Sequence, residues 1–357
     1  MDNKLKSVIN NIGFPRLIIV CFLALLFVGA GFLGLSIPGL ISDVIRRWGM
    51  YGILVLAMVP AVQCGIGLNF GISLGIVSGL LGSVISIEMG ISNPWIAILV
   101  AAAIGVTLAL ITGAGYGVLL NRVKGSEMTV STYVGFSVIA FMNIIWLALP
   151  FKNGDLIWPL GKAGMRNTIS LENSFALVMN DTKISILFGE NKVSGLYIPT
   201  ALILFVLLNC AIIYLFMRSK TGLALSAAGS NPTFAKSTGI NVNRMRIIGT
   251  AVSTALAAIG IITYGQSYGF LQLYNAPLWM GFHCVAAILI GGATISRARI
   301  SHVLLGTFLF QGVLTVALPV VNALLPNTNL SDVIRIIISN GIILYALSKT
   351  KGGKEGE

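Results

Sequence analysis

Residues 17–40, LIIVCFLALLFVGAGFLGLSIPGL, carry no charged side chain. A helix of that length, rising about 1.5 Å per residue, is long enough for the roughly 30 Å hydrocarbon core of a bilayer. Lys4, Lys6 and Arg16 precede the run as they would in a secretory leader, but no A-x-A-like site follows it, so the run reads as an uncleaved first membrane span. The rest of the chain agrees. Of its 357 residues 56% are hydrophobic and 10% charged, with a mean hydropathy of +0.92, against about 25% charged residues in ordinary soluble domains.

The apolar runs lack strict alternation, and the 41 glycines come with many Ala and Ser. That combination favours helices packed through small-residue faces over barrel strands. The expected fold is an all-α, polytopic helical membrane protein of about ten spans: 17–36, 50–66, 68–87, 95–118, 130–149, 196–217, 247–266, 276–292, 301–320 and 332–348. The eighth is short and ends in AAILIGGATIS, a composition suited to a broken or re-entrant helix. Cys21, Cys64, Cys210 and Cys284 lie singly in apolar runs and read as small core side chains.

Placing both termini on the cytoplasmic side puts 15 of the 23 basic residues inside, among them Arg122, Lys124, Arg218, Lys220, Lys236, Arg244, Arg246, Arg297 and Arg299. The net charge of +12 is therefore a topology signal, and no nucleic-acid partner is needed to account for it. Two polar segments interrupt the spans. An extracytoplasmic loop, 150–194, contains the amphipathic stretch SLENSFALVMN and reads as a docking surface for an external partner or as a mobile surface loop. Sequons at Asn180 and Asn329 carry little weight by themselves.

The second interruption, 218–246, faces inward and contains AAGSNPTFAKSTGINVNRMR, Ala227–Arg246. It is not a phosphate loop: Ala235 stands where glycine must precede Lys236, and Pro232 removes a backbone N–H. It reads as a short capped helix, 231–239. Asn231 suits the N-cap, Pro232 the first helical position and Gly239 a left-handed exit, with Phe234, Ala235 and Lys236 presented between them. So short a helix needs a docking partner, its own chain or another.

This segment resembles the cytoplasmic loop of permease subunits of bacterial ABC importers for ribose, other simple sugars and branched-chain amino acids. The family pattern runs approximately A-x-G-x-N-x-x-A-[AR]-x-x-G-[IV]-[NDS]-V. Ala227, Gly229, Asn231, Ala235, Gly239, Ile240, Asn241 and Val242 match it in register. The likeness continues through ALAAIGIITYGQS and covers most of 196–348. Simple-sugar members carry a G-I-D-L-S-V-G-like turn early in the third span, whereas GLNFGISLG here places Asn69 at the acidic position, with Ser73 after it.

The resemblance implies a single permease domain over 1–357 in the bacterial cytoplasmic membrane. It implies a separate ABC ATPase that binds the ATP and receives the helix 231–239, with Gly229, Asn231, Pro232, Phe234, Ala235, Lys236 and Gly239 as coupling residues. A substrate-binding protein would deliver cargo outside, and a second permease, identical or homologous, would complete the path. The expected cargo is a simple sugar, with nucleosides or branched-chain amino acids as alternatives. The chain is then no enzyme and needs no cofactor or metal of its own.

Polar residues inside spans are costly and tend to face a cavity or a partner helix. Asn69, Ser73, Asn143, Gln266, Trp279, His283 and Gln311 are the candidate path residues on that ground, with Tyr264, Tyr268 and Tyr274 near the outer end of the seventh and eighth spans. Structural packing is the competing reading for each. An ion-coupled carrier is the rival class, and the scarcity of acidic residues within the spans counts against it. An intramembrane enzyme would need a catalytic His/Asp/Glu cluster, which the sequence does not display.

Overall fold

A computed structural model describes residues 14–157, 167–181, 186–188, 195–324, 333, 336–338 and 340–344. Helices dominate: α1 (Phe14–Phe32), α2 (Ile37–Leu56), α3 (Met58–Gln63), α4 (Ser73–Glu88), α5 (Pro94–Arg122), α6 (Glu127–Ala148), α7 (Thr200–Arg218), α8 (Lys220–Ser230), α9 (Pro232–Ser237), α10 (Val242–Tyr268), α11 (Asn275–Ile290) and α12 (Ile300–Leu324). A single 3₁₀ turn, Phe70–Ile72, leads into α4.

Seven of these stretches are long and apolar enough to cross a membrane, the first formed by α2 and α3 together, Ile37–Gln63. The chain is thus a multi-pass membrane protein. The apolar stretches Arg16–Phe32, within α1, and Asn275–Ile290, α11, are shorter, and α11 stops at Gly291–Gly292, where Gly292 takes φ +92°. Within the expected tenth span, 332–348, residues 333, 336–338 and 340–344 are described and are helical.

One boundary is corrected substantially. The second span was expected to begin at residue 50, yet α2 starts at Ile37, where Ser36 accepts the Gly39 N–H at 3.3 Å and Pro38 occupies the first turn. Asp43, Arg46 and Arg47 lie in the first half of the 27-residue stretch Ile37–Gln63, and Asp43 and Arg46 pair at 2.8 Å. Such a helix extends past the roughly 30 Å apolar layer, so its charged turns can remain at the outer surface.

The all-α expectation also needs amendment. Two short antiparallel ribbons form, β1 (Thr168–Ser170) with β4 (Phe270–Gln272), and β2 (Ile186–Phe188) with β3 (Leu196–Ile198). They belong to the connections between helices, where the backbone finds cross-strand partners instead.

Small residues set the core. α10 packs along α2, α4 and α5, and the faces that meet there have almost no side-chain depth. A Cβ on Gly79 would stand 2.5 Å from the Ala258 carbonyl oxygen, and one on Gly82 would stand 2.4 Å from that of Ala101. Backbone-to-backbone approach of this kind is how helices associate where lipid offers no hydrophobic contrast. α12 closes the other side against α1, α2 and α11, whereas α5, α6 and α7 leave wide apolar faces exposed.

Candidate coupling site and translocation cleft

The inner segment folds as its residue types require. Asn231 Oδ1 accepts the Phe234 N–H at 3.0 Å, Pro232 opens the helix, and Gly239 exits at φ +83° while the Ile240 N–H reaches the Ala235 carbonyl at 2.9 Å. The helix itself runs Pro232–Ser237, inside the expected 231–239. Phe234 is 61% exposed and Lys236 is exposed. Ala235 differs from expectation: it is fully buried with Ala228 and Val242, and so seats α9 on its own chain. Docking a two-turn helix requires one inward residue, and the smallest one serves.

Gly229, at the end of α8, performs a different task. A Cβ there would stand 2.1 Å from the Gln63 carbonyl oxygen and 2.6 Å from Gly65 N, so α8 lies directly on the turn joining α3 to the 3₁₀ segment. Gly65 itself adopts φ +80°. The inner helices thereby rest on the break between the second and third spans.

The seven path candidates do not form one site. Asn69 is fully buried, donating Nδ2–H to Ser253 Oγ at 3.2 Å and accepting the Tyr116 hydroxyl at 3.0 Å, so it pins the broken segment to α5 and α10. Gln266 is equally buried at the outer end of α10. Its Oε1 accepts the Met179 N–H at 3.1 Å, its carbonyl accepts the Leu177 N–H at 2.6 Å, and its amide donates to Ser267 Oγ at 2.6 Å. Both side chains are engaged in hydrogen bonds within the chain. Gln311 is buried on α12, and His283 lies between the rings of Tyr51 and Phe310 at 6.1 and 5.6 Å. Trp279 is half exposed on α11, and Asn143 half buried on α6.

Ser73 alone among them lines a cleft. This shallow hollow, with room for about one water, is bounded by Phe70, Ser73, Thr132, Gly135, Phe136, Ile139, Leu278, Gly281 and Phe282, between α6 and α11. The Phe282 ring stands 5.4 Å from Phe70 and 6.2 Å from Phe136. The Ser73 hydroxyl donates to the Pro277 carbonyl at 3.0 Å, and the Thr132 hydroxyl donates to the Met128 carbonyl at 2.9 Å, so each keeps lone pairs to offer. No ionisable group lines the cleft. Selecting polar residues missed the three phenylalanines; the signal that would have found them is Gly135, whose missing side chain lets α6 approach the Phe70 carbonyl.

The segment 150–194 is folded where it is described. Leu171, Phe175 and Met179 are buried, β1 pairs with β4, and Ser267 Oγ donates to Asn180 Oδ1 at 2.8 Å. Asn180 is 2% exposed, which removes it as a surface glycosylation acceptor; Asn329 lies outside the described residues. Among the described residues no three His, Cys, Asp or Glu side chains group as metal ligands.

The fold is a polytopic helical bundle with a capped helix standing on a broken span, and comparison with known sequences gives its family. Residues 40–342 match the family model described as branched-chain amino acid transport system / permease component, and the chain belongs to that family. A nucleoside ABC transporter permease of Lactococcus lactis is 25% identical over 71% of this chain and 66% of its own length. The galactofuranose transporter permease of Escherichia coli is 24% identical over 72% and 68%, and the ribose import permease of that organism 22% over 75% and 74%. The aligned stretch thus spans about two thirds to three quarters of these relatives. No solved structure gives a significant match.

Proposed function

We propose that this chain is the membrane-spanning subunit of an ATP-binding-cassette importer that moves a simple sugar inward through the bacterial cytoplasmic membrane. A separate ATPase supplies the energy and a substrate-binding protein supplies the cargo outside. A second permease, a copy or a homologue, completes the path. The observation that carries this reading is α9: a capped helix with an exposed Phe234 and Lys236, seated on its own chain only through Ala235. A solvated helix has no need of so exposed an aromatic, whereas a groove in a partner does.

The test is a pull-down of the tagged chain from its native membrane in gentle detergent, with partners identified by mass spectrometry. An ATPase recovered with the parent and lost from a Phe234→Ala/Lys236→Glu variant supports the assignment. A parent that comes down alone, under conditions where other importers stay intact, defeats it and returns attention to ion-driven transport. A nucleoside is the second reading for the cargo, favoured by the three Phe rings of the cleft and by the nucleoside permease among the relatives. Screening the captured binding protein against pentoses, hexoses, nucleosides and branched-chain amino acids separates them.

A further inference from the structure

Among the described residues one ion pair is buried: Arg246 Nη2 to Glu127 Oε1 at 2.5 Å, with side chains 7% and 15% exposed. Orientation by positive charge needs only surface arginines, and a buried pair is seldom the most stable solution for a packed site. Its position suggests what it does instead. Arg246 lies in the second turn of α10, directly after α9, and Glu127 is the first residue of α6. The other Glu127 oxygen accepts the Gly125 N–H at 2.8 Å. Lys124 Nζ and Asn121 Nδ2 both donate to Asn243, to Oδ1 and to the carbonyl, each at 2.9 Å. The turn between α5 and α6 is therefore clasped to the start of α10, and α9 is joined to that start through the Ala235–Val242 contact.

The cleft is held from the inner face by two attachments, both of which reach α10, one at Arg246 and one at Ser253. Its α6 wall, with Thr132, Gly135 and Phe136, continues from Glu127 in one helix. Its opposite wall, Phe70 and Ser73, is fixed through Asn69 to Ser253 of α10 and through the 63–65 turn to Gly229.

From this we infer that Glu127 and Arg246 are positioning residues, a tie by which displacement of α9 is carried to the α6 wall of the cleft and moves it against α11. The inference rests on the importer reading above, since it takes α9 as the point where a nucleotide-driven partner pushes. It assigns a role to two residues outside the α8–α9 loop that touch neither partner nor cargo. Coupling through a chain of contacts needs direct evidence that both ends bias one element, which the following measurement supplies.

Phe136→Cys and Phe282→Cys are introduced in a Cys21→Ala background, and oxidative cross-linking of the purified complex is compared without nucleotide and with Mg-ATP plus vanadate. The expected result is a several-fold change in cross-linking with nucleotide when Glu127 and Arg246 are intact. That change is lost in Glu127→Gln, which leaves a buried arginine unpaired, and in Glu127→Gln/Arg246→Met, which removes both charges and guards against simple misfolding. Co-purified ATPase and its ATP turnover remain in the double variant, a combination that a merely structural role does not produce. A nucleotide-dependent change that persists in the double variant overturns the tie and leaves the importer reading intact. The same holds for a parent complex that binds ATPase yet shows no change. A parent that captures no ATPase sinks both.

Discussion

Gln266 accepts the backbone N–H of Met179 at 3.1 Å, and that bond fastens an outer loop to the end of a spanning helix 87 positions away in sequence. With the Leu177 N–H on the Gln266 carbonyl and Asn180 on Ser267, it makes residues 171–181 a fixed cover over α10. Gln266→Leu leaves the buried Met179 N–H without its acceptor, at a cost of about 1–3 kcal/mol. Hydrogen exchange should report this locally, as faster exchange at Leu177–Asn180 with the amides of α10 unchanged. Unaltered exchange in the loop would show that the amide is not its anchor.

Asn69 makes a second prediction. It satisfies Tyr116 with one end of its amide and Ser253 with the other, so Asn69→Leu strands two buried hydroxyls, whereas Tyr116→Phe removes one bond and leaves an acceptor. The leucine variant should lose about 2–4 kcal/mol and the phenylalanine variant about 1 kcal/mol. Thermal unfolding in detergent ranks the two, and equal losses would contradict the network.

Much of this architecture was legible because long apolar runs and capping residues act locally. Asn231, Pro232 and Gly239 fix α9 without reference to the rest of the chain, and they were read correctly. What was not legible depends on long-range contact. The start of α2 was misplaced because Arg46 and Arg47 look like loop residues until the helix proves longer than the bilayer is thick. Asn69 and Gln266 were selected as intramembrane polar groups, but sequence cannot tell a polar group facing a cavity from one holding two helices together. The cleft went unseen for the converse reason, since its walls are mostly phenylalanine, and phenylalanine in a span is ordinarily core.

Ala235 and Phe234 occupy adjacent positions on α9 and should fail differently. Ala235 is buried against Ala228 and Val242, so Ala235→Leu overpacks the seat of the helix at a cost of about 1–3 kcal/mol. Phe234 is exposed, so Phe234→Ala should leave the unfolding midpoint within experimental scatter and instead reduce recovery of the partner ATPase. Measuring both quantities on both variants distinguishes the seat from the contact. A Phe234 variant that unfolds early would mean that this ring packs on its own chain.

Cys64 carries a prediction about pH. Its thiol lies in the turn after α3, buried, and donates to the Ala61 carbonyl at 3.1 Å. Burial pushes its pKa up to about 12, outweighing the opposing pull of the Ile66 backbone and Arg246. Only the thiolate reacts with maleimides, so at pH 8 the folded protein exposes about one part in 10⁴ as nucleophile, against roughly a quarter for an unfolded cysteine of pKa about 8.5. Because folding raises this pKa, the stability it contributes is fully present below about pH 8.5 and is lost as pH rises from there through about 12. Peptide mapping after maleimide treatment at pH 8 should therefore find Cys64 unmodified in the folded protein and modified once detergent and urea unfold it. Rapid labelling of the folded protein would mean that the turn between α3 and α4 opens to water, and that the Gly229–Gly65 contact which covers it is not maintained.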